Sequence, residues 1–328
     1  MVTIKHIAEM AGVSRTTVSR VLNNSGYVSE DARKRVEMVI KETGYVPSEQ
    51  AKSLRTKKTK VIGVILPTIQ TETPSRIVTG VGKELAENGY QIILANTNLD
   101  KDKELEYLDV LRLRQVDGII LIATNTEPKL MEKIKGMNIP IVIVGQEADD
   151  LMYVTYDDYH AARDLTTFFI EKGHTNIAFI GVDEADHSVG YLRKKGYLDA
   201  MKSSELAVES NWVETGIFDI ESGYEAMKNI LTKTTSIPTA TIAVTDRLAI
   251  GAISYLKEKG IRIPEQMALA GFGASELAKY LDPPLTTVDY QNEKAGEEAA
   301  KQLLAKINAK KYQKQIILDY RLIIRKSV

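Results

Sequence analysis

Between Ser14 and Asn23 the chain sets Arg15, Thr16, Thr17, Ser19 and Arg20 around Val18 and Val21. If this stretch is helical, the two valines share one face and the polar, basic set covers the rest. Guanidinium and hydroxyl groups on one short rod can donate to phosphate oxygens and to base edges in the DNA major groove. Just before them, Ile4, Ile7, Ala8 and Ala11 fall at i, i+3, i+4, i+7, so a first helix is expected. Gly12 breaks that helix and Ser14 is placed to cap the second. Two short helices joined by a Gly-containing turn form a helix-turn-helix pattern. An ordinary helical hairpin with a solvated face has the same periodicity.

The surrounding elements favour the first reading. Ser29 can cap a third helix with Val36, Val39 and Ile40 as its apolar stripe, Gly44 fits its end, and Tyr45-Val46-Pro47 leaves it extended. Residues 48–58 read as a short helical linker too small for a core of its own. Residues 1–60 hold 12 Lys+Arg against 6 Asp+Glu, a net of +6, while residues 61–328 hold 31 against 38, a net of −7. The chain total of −1 therefore hides a basic head on an acidic body. Such a head is the electrostatic footprint of nucleic-acid binding. A disordered basic tail would lack its apolar period.

Other chemistries find little support. There is no cysteine among the 328 residues, which excludes disulfides, thiol nucleophiles and Cys-based metal sites and fits a reducing cytoplasm. No P-loop and no G-x-S-x-G elbow occur, and Gly80-Val81-Gly82 lacks the third glycine of a dinucleotide fingerprint. His6, His160, His174 and His187 are scattered, with no helical His/Glu pair to suggest zinc. No signal-peptide stretch or membrane-length apolar run is evident. The expectation is a cytoplasmic protein that is neither an enzyme nor a membrane protein, with no metal or cofactor.

From Val61 onward, β-rich runs alternate with amphipathic stretches. The runs are Val61–Leu66, Gln91–Ala95, Gly118–Ile122, Pro140–Val144, Ile177–Val182, Thr241–Thr245 and Ala268–Phe272. Between them lie helical patterns such as Arg76–Glu87, Lys103–Leu113, Ala161–Lys172, Gly223–Leu231 and Leu248–Lys259. This order implies parallel sheets covered by helices on both faces. About ten strands over this length suggest two such units rather than one sheet, with a ligand cleft between them at the strands' carboxyl ends.

In order along the chain stand Ile4-Lys5-His6-Ile7-Ala8, Gly12-Val13-Ser14, Thr17-Val18-Ser19-Arg20-Val21-Leu22-Asn23 and Gly44-Tyr45-Val46-Pro47. Gly63-Val64-Ile65, Val116-Asp117-Gly118-Ile119-Ile120, Gly173-His174, Thr245-Asp246, Gly271-Phe272 and Pro284-Leu285-Thr286-Thr287-Val288 follow. By these motifs the chain resembles the LacI/GalR family of transcriptional repressors over its full length. The resemblance implies an all-α helix-turn-helix head (1–47), a hinge-helix linker (48–60) and a two-subdomain α/β body of the type I periplasmic-binding-protein kind (61–328). One subdomain would hold 61–157 plus about 287–316, the other about 158–286 plus 317–328.

The same resemblance implies a role for each matching residue. Arg15 and Thr16 would set specificity and Arg20 would read a guanine edge, while Ser14, Thr17, Ser19 and Asn23 would hold phosphates or cap and pack. Ala51 and Leu54 of the hinge would meet DNA, with Leu54 wedging a base step from the minor groove. Arg55, Lys57 and Lys58 match nonspecific phosphate contacts. Arg193 would fork onto sugar hydroxyls and Phe218 would stack on the ring. Thr71, Pro74, Gln146, Thr245, Asp246, Gly273 and Tyr290 would line the rest of the pocket, although Asp246 also fits a helix cap. Gly273-Ala274 stand where many members carry an acid after the Gly-Phe pair. That loss, with likeness to sucrose- and trehalose-operon repressors, points to a sugar-phosphate effector such as sucrose- or trehalose-6-phosphate, with Arg193 and Arg247 as its cationic partners. The expected partners are a pseudopalindromic operator, a sugar or sugar phosphate that releases it, and a second copy in a homodimer. The alternative is a catabolite-control regulator using a phosphocarrier protein as corepressor. Tyr290-Gln291-Asn292-Glu293-Lys294 does not match that branch.

Overall fold

The structure, a computed structural model, describes residues 2–45, 58–234 and 236–328. It divides into two compact units, Met1–Thr59 and Lys60–Val328. The first holds α1 (Ile4–Ala11), α2 (Arg15–Leu22) and α3 (Glu30–Thr43). Each starts on a hydroxyl cap, with Thr3, Ser14 and Ser29 accepting from the backbone N–H three residues on. Gly12 and Gly44 end α1 and α3 with φ of +62° and +61°, the left-handed region a glycine enters without a Cβ clash. Ile7, Ala8, Ala11, Val18, Val21, Val36 and Val39 close into one core.

In the second unit the chain runs β1 (Val61–Leu66), α4 (Glu72–Glu87), β2 (Gln91–Asn96), α5 (Lys101–Leu113), β3 (Gly118–Ile122), α6 (Pro128–Lys135), β4 (Ile141–Val144) and β5 (Met152–Tyr156). It continues through α7 (Asp158–Glu171), β6 (Ile177–Gly181), a π-helical turn (His187–Leu192), α8 (Arg193–Ser203), β7 (Val213–Thr215), α9 (Ile220–Lys233), β8 (Ala240–Ala243), α10 (Asp246–Glu258) and β9 (Ala268–Phe272). The last elements are α11 (Leu277–Tyr280), β10 (Thr286–Asp289), α12 (Asn292–Ile307), β11 (Gln315–Leu318) and β12 (Arg321–Ile323). Two six-stranded sheets form, in the orders β11-β5-β4-β3-β1-β2 and β12-β10-β9-β8-β6-β7. Pairing is parallel except at β12, which runs antiparallel to β10 on the sheet edge. The central strands β3, β4, β6, β8 and β9 are buried along their whole length, which is why they read as continuous apolar runs.

The chain passes between the two lobes three times: at Asp157, between β10 and α12, and between β11 and β12. The last two passages lie a few residues later than expected from sequence. Thr286–Asp289 pairs with β9 and β12, which keeps it in the second lobe, and β11 stays beside β5 as far as Leu318. In place of about ten strands there are twelve among the described residues. β12 lies within the C-terminal stretch expected to be a strand, whereas β7 spans only three residues and β11, with three apolar residues of four, is largely solvent-facing.

Glycines set how closely the covering helices approach. A Cβ on Gly80 of α4 would stand 1.9 Å from the Glu293 carbonyl oxygen, and one on Gly296 of α12 would stand 2.0 Å from that of Ile77. Gly223 of α9 and Gly251 of α10 meet the Leu248 and Ile220 carbonyls in the same way, at 2.3 and 2.0 Å. Gly80 of the Gly80-Val81-Gly82 run thus lies inside α4 at its contact with α12.

Candidate functional site

In the head, α2 buries Val18 and Val21 and leaves Ser14, Arg15, Thr16, Arg20 and Asn23 exposed, with Thr17 and Ser19 half-buried. The Ser14 hydroxyl accepts from the Thr17 N–H at 3.1 Å and lies 2.9 Å from the Thr17 hydroxyl. At the other end Asn23 Nδ2 donates to the Ser19 carbonyl at 2.5 Å. Four of the polar residues are thus tied into the helix ends. Arg15 and Thr16 project from the first turn, and Arg20 lies along Gly26, where a Cβ would sit 3.4 Å from its Nε. Ala51 and Leu54, with most of the expected hinge, lie outside the described residues.

In the body, the carboxyl ends of strands from both sheets converge on one cavity of about 160 Å³. Thr68 and Leu99 follow β1 and β2, Gln146 follows β4, and Asp186, Phe218, Thr245 and Gly273 follow β6, β7, β8 and β9. This is where open α/β sheets present their loop ends to a ligand. Much of the wall is apolar, including Pro74, Ile77, Ile122, Val189, Ile250 and Phe272.

Arg193, at the start of α8, is the buried cation of this cavity and 6% exposed. Its Nε and Nη2 donate to Asp158 Oδ1, both at 2.7 Å, and its Nη1 donates to the Val244 carbonyl at 2.5 Å. The guanidinium also lies over the rings of Phe272 and Tyr290, 4.7 and 4.9 Å from their centroids. All three nitrogens are engaged and the charge is balanced by Asp158. Asp246 is likewise occupied: Oδ1 accepts from the Thr287 hydroxyl and Oδ2 from the Ser275 N–H, both at 2.6 Å. Burial raises the Asp246 carboxyl above the usual range, and those hydrogen bonds oppose the shift. Gly271 makes room for it, because a Cβ there would stand 2.5 Å from Asp246 Oδ1.

Hydrogen bonds cross from lobe to lobe around the cavity. Gln146 Nε2 donates to Asp186 Oδ1 at 2.7 Å, and its Oε1 accepts from the Ser188 N–H and hydroxyl at 3.2 Å. Arg76 of α4 donates to the Ala274 carbonyl at 2.9 Å, and Glu72 accepts from the Glu276 N–H at 2.8 Å.

Of the residues expected in the pocket, the structure brings Thr71, Pro74, Gln146, Arg193, Phe218, Thr245, Asp246 and Gly273 to the cavity wall. Tyr290 is not there. Its ring stacks against Tyr156 and Phe272 beneath Arg193 and is 2% exposed, so it supports the guanidinium from behind. The cap of α10 is Thr245, whose hydroxyl accepts from the Leu248 N–H at 3.2 Å; Asp246 instead clamps the Gly273–Ser275 loop. Thr71 starts α4 without a side-chain cap bond. Asp158 and Asp186 were absent from the expected set. Asp158 directly follows Asp157, the acidic start of α7, and Asp186 precedes the π-helical turn, which has no periodic signal.

Removing one partner of a buried ion pair leaves the other charge uncompensated. Arg193→Met should therefore destabilise the body by about 3–5 kcal/mol in urea unfolding. An unchanged midpoint would show that Asp158, 1% exposed, does not depend on the pair.

The model of the lacI family of bacterial regulatory proteins matches residues 3–48, and that of the periplasmic binding protein-like domain matches residues 166–328. The HTH-type transcriptional repressor PurR of Actinobacillus pleuropneumoniae is 34% identical over 333 residues, covering 100% of this chain and 98% of the relative. PurR of Haemophilus influenzae is 34% identical over 337 residues, covering 100% and 99%. Among solved structures, the transcriptional regulator CelR–cellobiose complex matches with a TM-score of 0.76 and 29% identity, covering 100% of both chains. The Lac repressor dimer bound to operator and the anti-inducer ONPF shares the fold, with a TM-score of 0.91 at 23% identity over 99% of this chain and 98% of that one. A helix-turn-helix head with a two-sheet periplasmic-binding-protein-like body, matched end to end at this identity, places the chain in the LacI family of DNA-binding transcriptional repressors.

Proposed function

We propose that the chain reads a specific operator through Arg15, Thr16 and Arg20 and yields it when a compact, neutral ring compound enters the cleft around Arg193. The exposed first turn of α2 carries the DNA half of this reading. Arg15 and Thr16 stand where recognition-helix side chains reach base edges, and Arg20 is a guanidinium suited to guanine. Ser14, Thr17, Ser19 and Asn23 brace the helix and offer phosphate contacts. The expected hinge residues Ala51 and Leu54 belong to the same proposal. Thr16→Ala is expected to change base preference at one operator position. Lys57→Ala should weaken all DNA about equally and reduce the salt slope by about one. A binding selection compared at two salt concentrations checks both, and identical shifts from the two variants would contradict the assignment.

The cavity's chemistry supports the effector class. Glu72, Asp158, Asp186 and Asp246 face only Arg193 and Arg247 among the charged residues of the wall, and Arg193 is already neutralised. Beyond the Asp158–Arg193 pair, a phosphate dianion would meet three carboxylates against the single guanidinium of Arg247, so the charge of the wall disfavours the sugar-phosphate expectation while leaving it that one cation. Most polar atoms named above are also committed to the protein. A buried polyol would leave hydroxyls unpaired, at a cost of about 1–3 kcal/mol each. About 160 Å³ is small beside the roughly 300–1,000 Å³ of drug-sized sites. A flat ring with few polar atoms, resting on Phe218 or Phe272, suits such a wall. An unphosphorylated sugar is the second reading, favoured by the likeness to the CelR–cellobiose complex. Calorimetric binding of sugar phosphates with none of neutral rings would contradict both.

A second copy of the chain completes the proposal, since a homodimer matches the twofold symmetry of a pseudopalindromic operator. β2 supports it: this strand ends its sheet and exposes Ile93 and Leu94, 40% and 51% accessible, along an unpaired edge. Sedimentation should show a dimer that Leu94→Glu converts to monomer; a dimer of undiminished affinity in the variant would move the interface elsewhere. The site of action follows from the partner, the DNA of the cytoplasm. No helix among the described residues is long and apolar enough to cross a membrane.

A further inference from the structure

Asp186 is fixed more firmly than a surface turn requires. It caps the π-helical turn, with Oδ1 accepting from the Val189 N–H at 2.9 Å and its carbonyl accepting from Gly190 and Tyr191 at 2.8 and 3.1 Å. The turn exists because residue 190 is glycine: a Cβ there would stand 2.1 Å from the Asp183 carbonyl oxygen. From the other lobe Gln146 donates to the same Oδ1 at 2.7 Å. Its amide has one possible orientation, since Oε1 is needed by the Ser188 N–H and hydroxyl. Every fixed contact thus falls on Oδ1. Oδ2 accepts from none of the described residues, retains surface, and belongs to a residue on the cavity wall that is only 6% exposed.

Around it, Asp158 is neutralised by Arg193 and both oxygens of Asp246 are occupied. Gly273-Ala274 supply no carboxylate after Phe272. On a residue this enclosed, Oδ2 is the carboxylate oxygen of the wall still open to a donor that enters the cleft.

We propose that Asp186 is the specificity-determining acceptor of the cleft: Oδ2 takes a hydrogen bond from an N–H or O–H of the effector, while Gln146 and the turn backbone hold Oδ1. This rests on the neutral-ring reading above and adds that the ring must present a donor edge. It also ties ligand choice to the lobes, because the residue that reads the donor is the one Gln146 grips across the cleft. Burial pushes the Asp186 carboxyl up to about 6; the Val189 and Gln146 hydrogen bonds and the Arg193 charge oppose the shift, and Asp158 adds to it. Since this folded-state value lies above the ordinary carboxylate value of 3.8, the folded chain holds a proton between those limits that the unfolded chain has lost. The group's contribution to stability therefore falls as pH rises through that window.

Asp186→Asn keeps an oxygen for Val189 and Gln146 and replaces the open acceptor with a donor. Melting of the unliganded full chain, with calorimetry against hypoxanthine, cellobiose and glucose 6-phosphate, tests the assignment. The variant should melt no lower than the wild type near pH 8. It should bind whichever neutral probe the wild type takes about ten- to a hundredfold more weakly, the loss of one charge-assisted hydrogen bond. Wild-type affinity for that probe should fall as pH is lowered through about 6, with no such fall in the variant. Equal affinities, or a variant that melts lower because Asp186 merely holds the turn, would overturn the proposal. Tight binding of glucose 6-phosphate alone would overturn the neutral-ring reading instead, so the two failures are distinct.

Discussion

The buried pairing of Arg193 with Asp158 is the constraint on which the effector half of the molecule depends. Two charges this far from water need a full set of partners. Here Asp158, the Val244 carbonyl and the faces of Phe272 and Tyr290 provide it. Those partners come from α7, the end of β8, β9 and the passage after β10, so one guanidinium fastens several strand ends of the second lobe. Tyr290 stands at a passage between lobes and packs against Tyr156 at the end of β5, whose hydroxyl donates to Asn292 Oδ1 at 2.8 Å. A change at the cavity floor thus reaches two of the three points where the chain passes from lobe to lobe.

Because the central charge is already balanced, the cavity differs from a simple anion trap. Its polar atoms serve mainly to join loops and lobes: Asp246 clamps the Gly273–Ser275 loop, Arg76 and Glu72 reach across to it, and Gln146 spans to Asp186. A ligand competing at these atoms acts directly on bonds that set the relation of the two lobes. The first lobe also carries Lys60, where the body begins. Lys60 is tied by its N–H to Asp117 at 3.0 Å, and its ammonium stands 4.1 Å from the Tyr90 ring centroid. Lys60 thus fastens the first residue of the body to the loop before β3 and to the ring that precedes β2.

The elements easiest to foresee were those whose causes are local. Ser14 and Ser29 as caps, Gly12 and Gly44 as stops and the valine stripes of α2 and α3 needed no partner farther along the chain. The central strands announced themselves as unbroken apolar runs because both faces are covered. What escaped depends on through-space neighbours. Asp186 looks like any loop acid until the π-helical turn and Gln146, 40 residues away in sequence, fix it in the cleft. Tyr290 resembles a wall residue until the stacking of Tyr156 and Phe272 shows it lying behind Arg193. Gly273-Ala274 carry no carboxylate after Phe272, and only the fold shows acids from other elements standing in the same cavity.

The proposed release of DNA requires that occupancy of the cleft and grip on the operator be coupled. The direct measurement is an operator titration at fixed salt and protein concentration, with and without a saturating neutral ring compound that calorimetry has shown to bind. Operator affinity should fall by about 5- to 150-fold, the range of a 1–3 kcal/mol coupling, and ligand affinity should fall by the same factor when operator is present. A compound that saturates the cleft yet leaves operator affinity unchanged would contradict that coupling.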